Sequence, residues 1–316
     1  MAVLTKYFDF IGTGRKLCVV SAIAVVISLG SLAINSLQFG LDFTSGTLIE
    51  VGYSESVEVG AVSDALEAAG FEDAQVVAFG SDQEILIRMP VDDTLSEVEM
   101  AGQLETLGEN IMAALQAGRT VDVELRRLEF VGPRVGAELA ESGGMGILVS
   151  LGMIMLYVAV RFQTKFAVAA VIALIHDVII TVGVFSVFRL EFDLTVLAAV
   201  LAVIGYSVND KIVVFDRVRE NFRIMRKLTP AELINASLNQ TLSRTTITAG
   251  TTLLVVVAML VAGGDSIQGF ATALCLGITI GTYSSIYVGS TVLLMLGVTK
   301  EDLMVPPKEG AADSMP

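Results

Sequence analysis

Charge is scarce in this sequence. Only 17% of the 316 residues are Asp, Glu, Lys or Arg, against 53% apolar, and the mean hydropathy of +0.72 is too high for a soluble domain of this length. That shortage excludes a wholly aqueous protein and places the chain in a bilayer. Cysteine is nearly missing as well. Cys18 and Cys275 both lie in apolar runs that suit a small buried hydrophobe, so neither is read as disulfide-bonded, redox-active or metal-binding. There is no HExxH, no GxSxG and no paired-aspartate motif with its glycines, so nothing supports an intramembrane hydrolase. No enzyme activity, metal or cofactor is expected.

What the sequence does hold is apolar length. A bilayer core needs roughly 20 apolar residues per helix, and six stretches qualify, near 17–35, 143–160, 166–188, 194–215, 246–262 and 267–297. The first is too long for the apolar core of a signal peptide and is read as an uncleaved anchor. Lys6, Arg15 and Lys16, the hinge 161–165, the run Arg217, Arg219, Arg223, Arg226 and Lys227, and Lys300 and Lys308 fall on one side only if the number of spans is even. Six spans place both termini in the cytoplasm. The organisation expected is a tail at 1–16, span 1 at 17–35, an outer domain at 36–142, spans 2 to 6 over 143–297 with a cytoplasmic loop at 216–245, and a tail at 298–316, polar and disordered.

The acids are unevenly placed. About 21 of the 34 fall between Asp42 and Glu141, which marks this stretch as a separate aqueous domain. Its periods alternate: a strand at 47–53, a helix at 57–69, strands at 75–79 and 84–89, a helix at 96–117 and a strand at 121–130. That order, βαββαβ, is the split, ferredoxin-like α+β unit. The first helix is expected to start after Glu55 and Ser56 and to stop at Gly70. The second is expected to be capped by Ser96 with Glu99 and to stop at Gly118. The fold class is therefore an α-helical membrane bundle of six transmembrane helices with an inserted α+β domain.

Ionisable side chains inside a membrane helix are costly and mark candidate sites. His176 and Asp177 lie about a dozen residues into the third span, near mid-bilayer at 1.5 Å per residue. Asn209 and Asp210 lie in the fourth, where Tyr206 and Ser207 share an interior stripe with the acid. Arg244 stands at the inner start of the fifth span, after a stretch, 230–241, expected to run along the membrane surface before turning in. Asp210 and Arg244 sit at matched depth on consecutive antiparallel helices. A pair there is either a static structural contact or a switch whose acid takes a proton when the pair opens. His176 alone is read as a satisfied interior histidine before a proton carrier, Lys211 as a side chain snorkelling to the headgroups, and Gly277 with Gly281 as a small-xxx-small helix contact.

Seven runs, in this order and spacing, carry a resemblance: 40–47 (GLDFTSGT), 130–136 (FVGPRVG), 176–178 (HDV), 204–210 (IGYSVND), 216–221 (DRVREN), 239–245 (NQTLSRT) and 281–287 (GTYSSIY). Together they resemble the SecF family of the resistance-nodulation-division superfamily, from the first span to about Leu296. The resemblance implies a six-helix half that pairs with SecD, assists the SecYEG translocon in the bacterial inner membrane, and draws on the proton motive force to promote late translocation and release of exported unfolded polypeptides at the periplasmic face. Protons are then a partner, and nucleic acid is not. Carried over by motif, Asp210 matches the family's intramembrane acid, Arg244 its partner arginine, and Asp177 a further polar residue of the relay. His176, Tyr206, Ser207 and Asn209 are supporting polar groups. Asp42, Phe43, Thr44 and Gly46 match the extracytoplasmic signature, with Ser45 where a glycine is common and Lys211 where a small hydroxyl is common. The alternatives are a scaffold without proton coupling and one half of a small-molecule proton antiporter.

Overall fold

Six apolar helices dominate a computed structural model that describes residues 8–44, 46–79, 81–90, 97–117, 122–225, 227–264 and 267–299. Helix α1 (Phe10–Asn35) leads through the short β1 (Gln38–Phe39) and one-turn α2 (Leu41–Thr44) into β2 (Gly46–Tyr53), α3 (Val59–Ala68), β3 (Gln75–Phe79), β4 (Ser81–Met89), α4 (Glu97–Gln116) and β5 (Val123–Val131). The chain then forms α5 (Pro133–Arg161), α6 (Thr164–Val187), β6 (Glu191–Phe192), α7 (Leu194–Ile224), α8 (Pro230–Ala262), α9 (Gln268–Ile286) and α10 (Val288–Met295). Among the described residues six helices, counting α9 and α10 as one broken span, are long and apolar enough to cross a bilayer, so the chain is a multi-pass membrane protein.

The helices outrun the apolar cores that announce them, because their polar end turns stay helical. Helix α1 starts at Phe10 and α5 at Pro133, each well before the expected apolar core. The loop expected over 216–245 is mostly not a loop, since α7 runs through Asp216 to Ile224 and α8 begins at Pro230. No surface helix turns in near Thr241 either. Nothing between Pro230 and Thr246 breaks a helix, and the start is fixed by a capping box in which Thr229 N–H donates to Glu232 Oε2 at 2.9 Å and Glu232 N–H returns to Thr229 Oγ1 at 3.4 Å. The side chains of Asn235 and Asn239 then bind the backbone of Phe8 and Phe10 at 2.8–3.1 Å, tying the foot of α1 to α8.

In the inserted domain β2, β3, β4 and β5 build one antiparallel sheet in the order β3-β4-β2-β5, with α3 and α4 on one face. Alternate residues Ile49, Val51, Ile85 and Ile87 are buried against Val62 and Leu66 of α3 and Ile111 and Leu115 of α4. The other face, carrying Leu48 and Leu86, looks toward the bundle. Helix α3 has Glu58 at its N-cap with no side-chain cap bond, so Glu55 and Ser56 do not start it; it ends before Gly70, whose φ of +92° suits glycine. Ser45, Ser96, Gly118, the basic residues Lys6, Arg226, Lys300 and Lys308, and the tail from 300 lie outside the described residues.

Candidate functional site

Two helices bring the interior charges together. On α6 the buried face runs through Ala169, Ala170, Ala173, His176, Asp177 and Thr181; on α7 it runs through Val203, Ser207, Asp210, Lys211 and Val214. Ser207 and Lys211 are four residues apart and so stack on one stripe. Small residues let α9 come close: a Cβ on Gly281 would stand 2.7 Å from Ser207 Oγ, and one on Gly277 would overlap Val203. The small-xxx-small spacing is thus a packing contact between α7 and α9.

At this junction Lys211 Nζ donates to Asp177 Oδ2 at 2.8 Å, to Ser207 Oγ at 2.6 Å and to Ser284 Oγ of α9 at 3.0 Å. Ser207 Oγ donates in turn to Asp177 Oδ2 at 2.6 Å, and His176 Nδ1 lies 3.0 Å from Asp177 Oδ1. Lys211 is 0% exposed and Asp177 1%. Lysine 211 therefore does not snorkel: its stripe faces the bundle interior, and all three ammonium protons have acceptors. His176 is bonded through one ring nitrogen only, and its buried Nε2 has no partner.

Asp210, the next residue back, is buried at 5% exposure, and its Oδ2 has no hydrogen-bond partner. The expected pair with Arg244 does not form: among the described residues no ion pair within 4.0 Å joins them, and Arg244 is exposed. The reason is rotational. The buried stripe of α8 passes through Thr241, Thr245 and Ala249, so Thr245 turns inward and its neighbour Arg244 turns out. Lys211 and Arg244 both reach Asp210 through space rather than by contact. Asn209, expected as a supporting polar group, is exposed; Tyr206 packs against Ala249 and Ile278, with its buried hydroxyl unpartnered.

The signature after α1 attaches the inserted domain to α7. Strand β1 pairs in parallel with β6, Gly40 N–H donates to Phe192 O at 2.9 Å, and Asp42 Oδ2 accepts from Leu194 N–H at 3.0 Å, in the first turn of α7. Asp193 caps the same helix end through Val196 N–H at 2.7 Å, so two carboxylates meet the positive end of its dipole. Phe43 packs edge-on against Phe39 and beside Phe192. Gly46 carries a φ of +128° at the entry to β2, a conformation that suits glycine. Thr44 ends α2. Arg88 of β4 forms an ion pair with Glu191 of β6, and burial pushes the Glu191 carboxyl up against the pull of that arginine. Between the open sheet face and the near ends of α6, α7 and α9 lies a cavity of about 620 Å³ lined by Leu48, Leu86, Arg127, Phe185 and Gln268 among others.

Asp42→Ala removes an acceptor from the start of α7 and is expected to cost about 0.5–2 kcal/mol. Thermal unfolding in detergent measures it, and proteolysis at the β1 to β2 segment should quicken. A variant indistinguishable from wild type in both would show that Asp193 alone caps this end.

Two family models match the chain. "Protein export membrane protein SecD/SecF, C-terminal" covers residues 110–299, and "SecD/SecF GG Motif" covers 30–57, the stretch that holds Asp42 and Gly46. Among relatives, the protein translocase subunit SecF of Vibrio alginolyticus is 52% identical over 98% of both chains, and that of Pseudomonas aeruginosa is 48% identical over 98% of this chain and 97% of its own. Among solved structures, SecDF of Thermus thermophilus, described as a translocon-associated membrane protein, superposes with a TM-score of 0.79 at 36% identity. SecDF in a super-membrane-facing form gives 0.67 at 37%. Each covers 93% of this chain, and this chain spans 39% of each of theirs.

Proposed function

Because the chain belongs to the SecD/SecF family of protein export membrane proteins, we propose that it is the SecF half of a SecD-containing complex that serves the SecYEG translocon, spending the proton motive force on late translocation and release of exported polypeptides. It performs transport work and no covalent catalysis. In this reading the chain lies in the bacterial inner membrane with both termini cytoplasmic and the sheet domain, ferredoxin-like by its strand order, in the periplasm. That orientation puts Arg161, Lys165, Arg217, Arg219, Arg223 and Lys227 on the cytoplasmic side.

One observation carries the proposal. Asp210, a buried acid with a free oxygen, rides on α7, and the first turn of α7 is held by Asp42 of the outer-domain signature. A change in charge at Asp210 alters how α7 sits among its neighbours, and that helix has a direct attachment to the domain that meets emerging chains. Arg244 fits this scheme from outside the bundle. Its outward side chain is placed for a helix of the related half, where a guanidinium inside a membrane needs an acidic or carbonyl partner.

The test is Asp210→Asn in the assembled complex, reconstituted in vesicles with an imposed proton gradient. The expected result is normal assembly with export that no longer responds to the gradient. Gradient-dependent export at the wild-type rate would leave the scaffold reading, which the fully bonded Asp177 and Lys211 contact independently favours. Gradient-driven efflux of a small molecule by this chain and its partner half would support the antiporter reading.

A further inference from the structure

Lys211 is the one lysine or arginine buried among the described residues, and no element of the relay as proposed uses it. Its ammonium cannot swing, because Asp177 of α6, Ser207 of α7 and Ser284 of α9 take its three donors from three helices. Asp210 precedes it on α7, also buried, with one oxygen, Oδ2, that bonds to nothing. Arg244, the other cation within electrostatic reach, is exposed and makes no ion pair with Asp210.

Resting on the relay reading above, we propose that Lys211 is a positioning residue: the fixed counter-charge against which Asp210 takes up and gives back its proton. Asp177 is its holder. One carboxylate consumes the ammonium by contact and fixes its place; the second carboxylate feels it through space, without a bond that must break before a proton moves. A cation near a carboxylate favours the ionised form, so a permanently seated Lys211 makes proton release from Asp210 possible inside the bundle without waiting for an arginine to swing in. The other titratable or charged groups around this place are His176 and Asp177 on α6, Tyr206 on α7 and Arg244 on α8; Tyr283 of α9 turns to α1, where it bonds Leu17 O and Ser21.

The discriminating variant exchanges the two charges, D177K/K211D. It keeps an ion pair between the same positions but reverses the sign of the charge beside Asp210. The measurement is gradient-driven export by the reconstituted complex across a series of pH values, with assembly followed by co-purification of the partner half. The expected result is an assembled complex whose export profile moves to higher pH by about 1 unit or more, the scale set by one adjacent charge. D177N/K211M removes both charges without leaving either alone and is expected to move the profile the same way by less. Lys211→Arg keeps the cation and is expected to restore the wild-type midpoint. A profile for either double variant that superimposes on wild type would reduce Lys211 to a packing element. Asp210→Asn in the same vesicles separates the two readings: if it leaves gradient dependence intact the relay itself fails, whereas if it abolishes that dependence while the pair variants superimpose, only the role of Lys211 fails.

Discussion

Truncating Asp177 to alanine is expected to destabilise the bundle by about 3–5 kcal/mol, the usual consequence of leaving one member of a buried ion pair without the other. The cause is specific. Lys211 has no exposure and no second carboxylate in contact, so its ammonium would stay in the interior with only Ser207 and Ser284 as acceptors. His176 Nδ1 would lose its partner in the same step. The effect should appear as a lower unfolding midpoint in detergent, followed by circular dichroism. Adding Lys211→Met should return most of the loss, because no buried charge is then left without its partner and the pair itself contributes little net stability. A single-variant loss below about 1 kcal/mol, the range of exposed pairs, would mean that the ammonium is not enclosed.

Gly277→Leu is the second large effect. Helices α7 and α9 meet where this glycine faces Val203, and even a methyl group at Gly277 would overlap the valine side chain. A leucine there forces the helices apart at a cost of about 1–3 kcal/mol or somewhat more. The separation also withdraws Ser284 from Lys211, since both glycines and Ser284 lie on α9. Gly250 on α8 is the control. Nothing lies within 4 Å of its hypothetical Cβ, so Gly250→Ala is expected to be neutral or to stabilise by up to about 1 kcal/mol through helix propensity. Equal destabilisation by the two changes would show that the α7 to α9 contact is no tighter than the rest of the bundle.

The spans and the order of elements in the outer domain are legible in the sequence, because apolar length and a switch from period 2 to period 3.6 are local signals. Strand β3 is expected at 75–79 and found at Gln75–Phe79. Helix rotation is less legible. Buried and membrane-facing residues are alike apolar in α5 to α9, so the pattern does not say which side of a span faces inward. Depth and motif both set Arg244 level with Asp210, but neither says that its side chain turns out of the bundle. The polar residues of α8 offered a better guide: Thr241 and Thr245 repeat at four residues toward buried Ala249, and Arg244 falls beside that stripe. The place of Lys211 is hidden in the sequence for another reason. Its partner Asp177 lies 34 residues away on a different helix, and only the Ser207 to Lys211 spacing of four hinted that the lysine belongs with interior groups. Ser284 carried no signal by itself. The capping box Thr229-Pro230-Ala231-Glu232 marks the start of α8 at Pro230, but no local signal shows that its polar first turns run on without a break into the apolar span.

Helix α8, unbroken over 33 residues, is about 50 Å long, while a hydrocarbon core is only about 30 Å thick. It is therefore a tiller, part in the hull and part beyond it. Rocking it by about 5° around the membrane midplane would sweep the far tip by roughly 3 Å on this rise per residue. Asn235 and Asn239 sit on that projecting arm and grip Phe8 and Phe10 at the start of α1, so any tilt forced from within would be delivered to the foot of the helix that leads into the inserted domain.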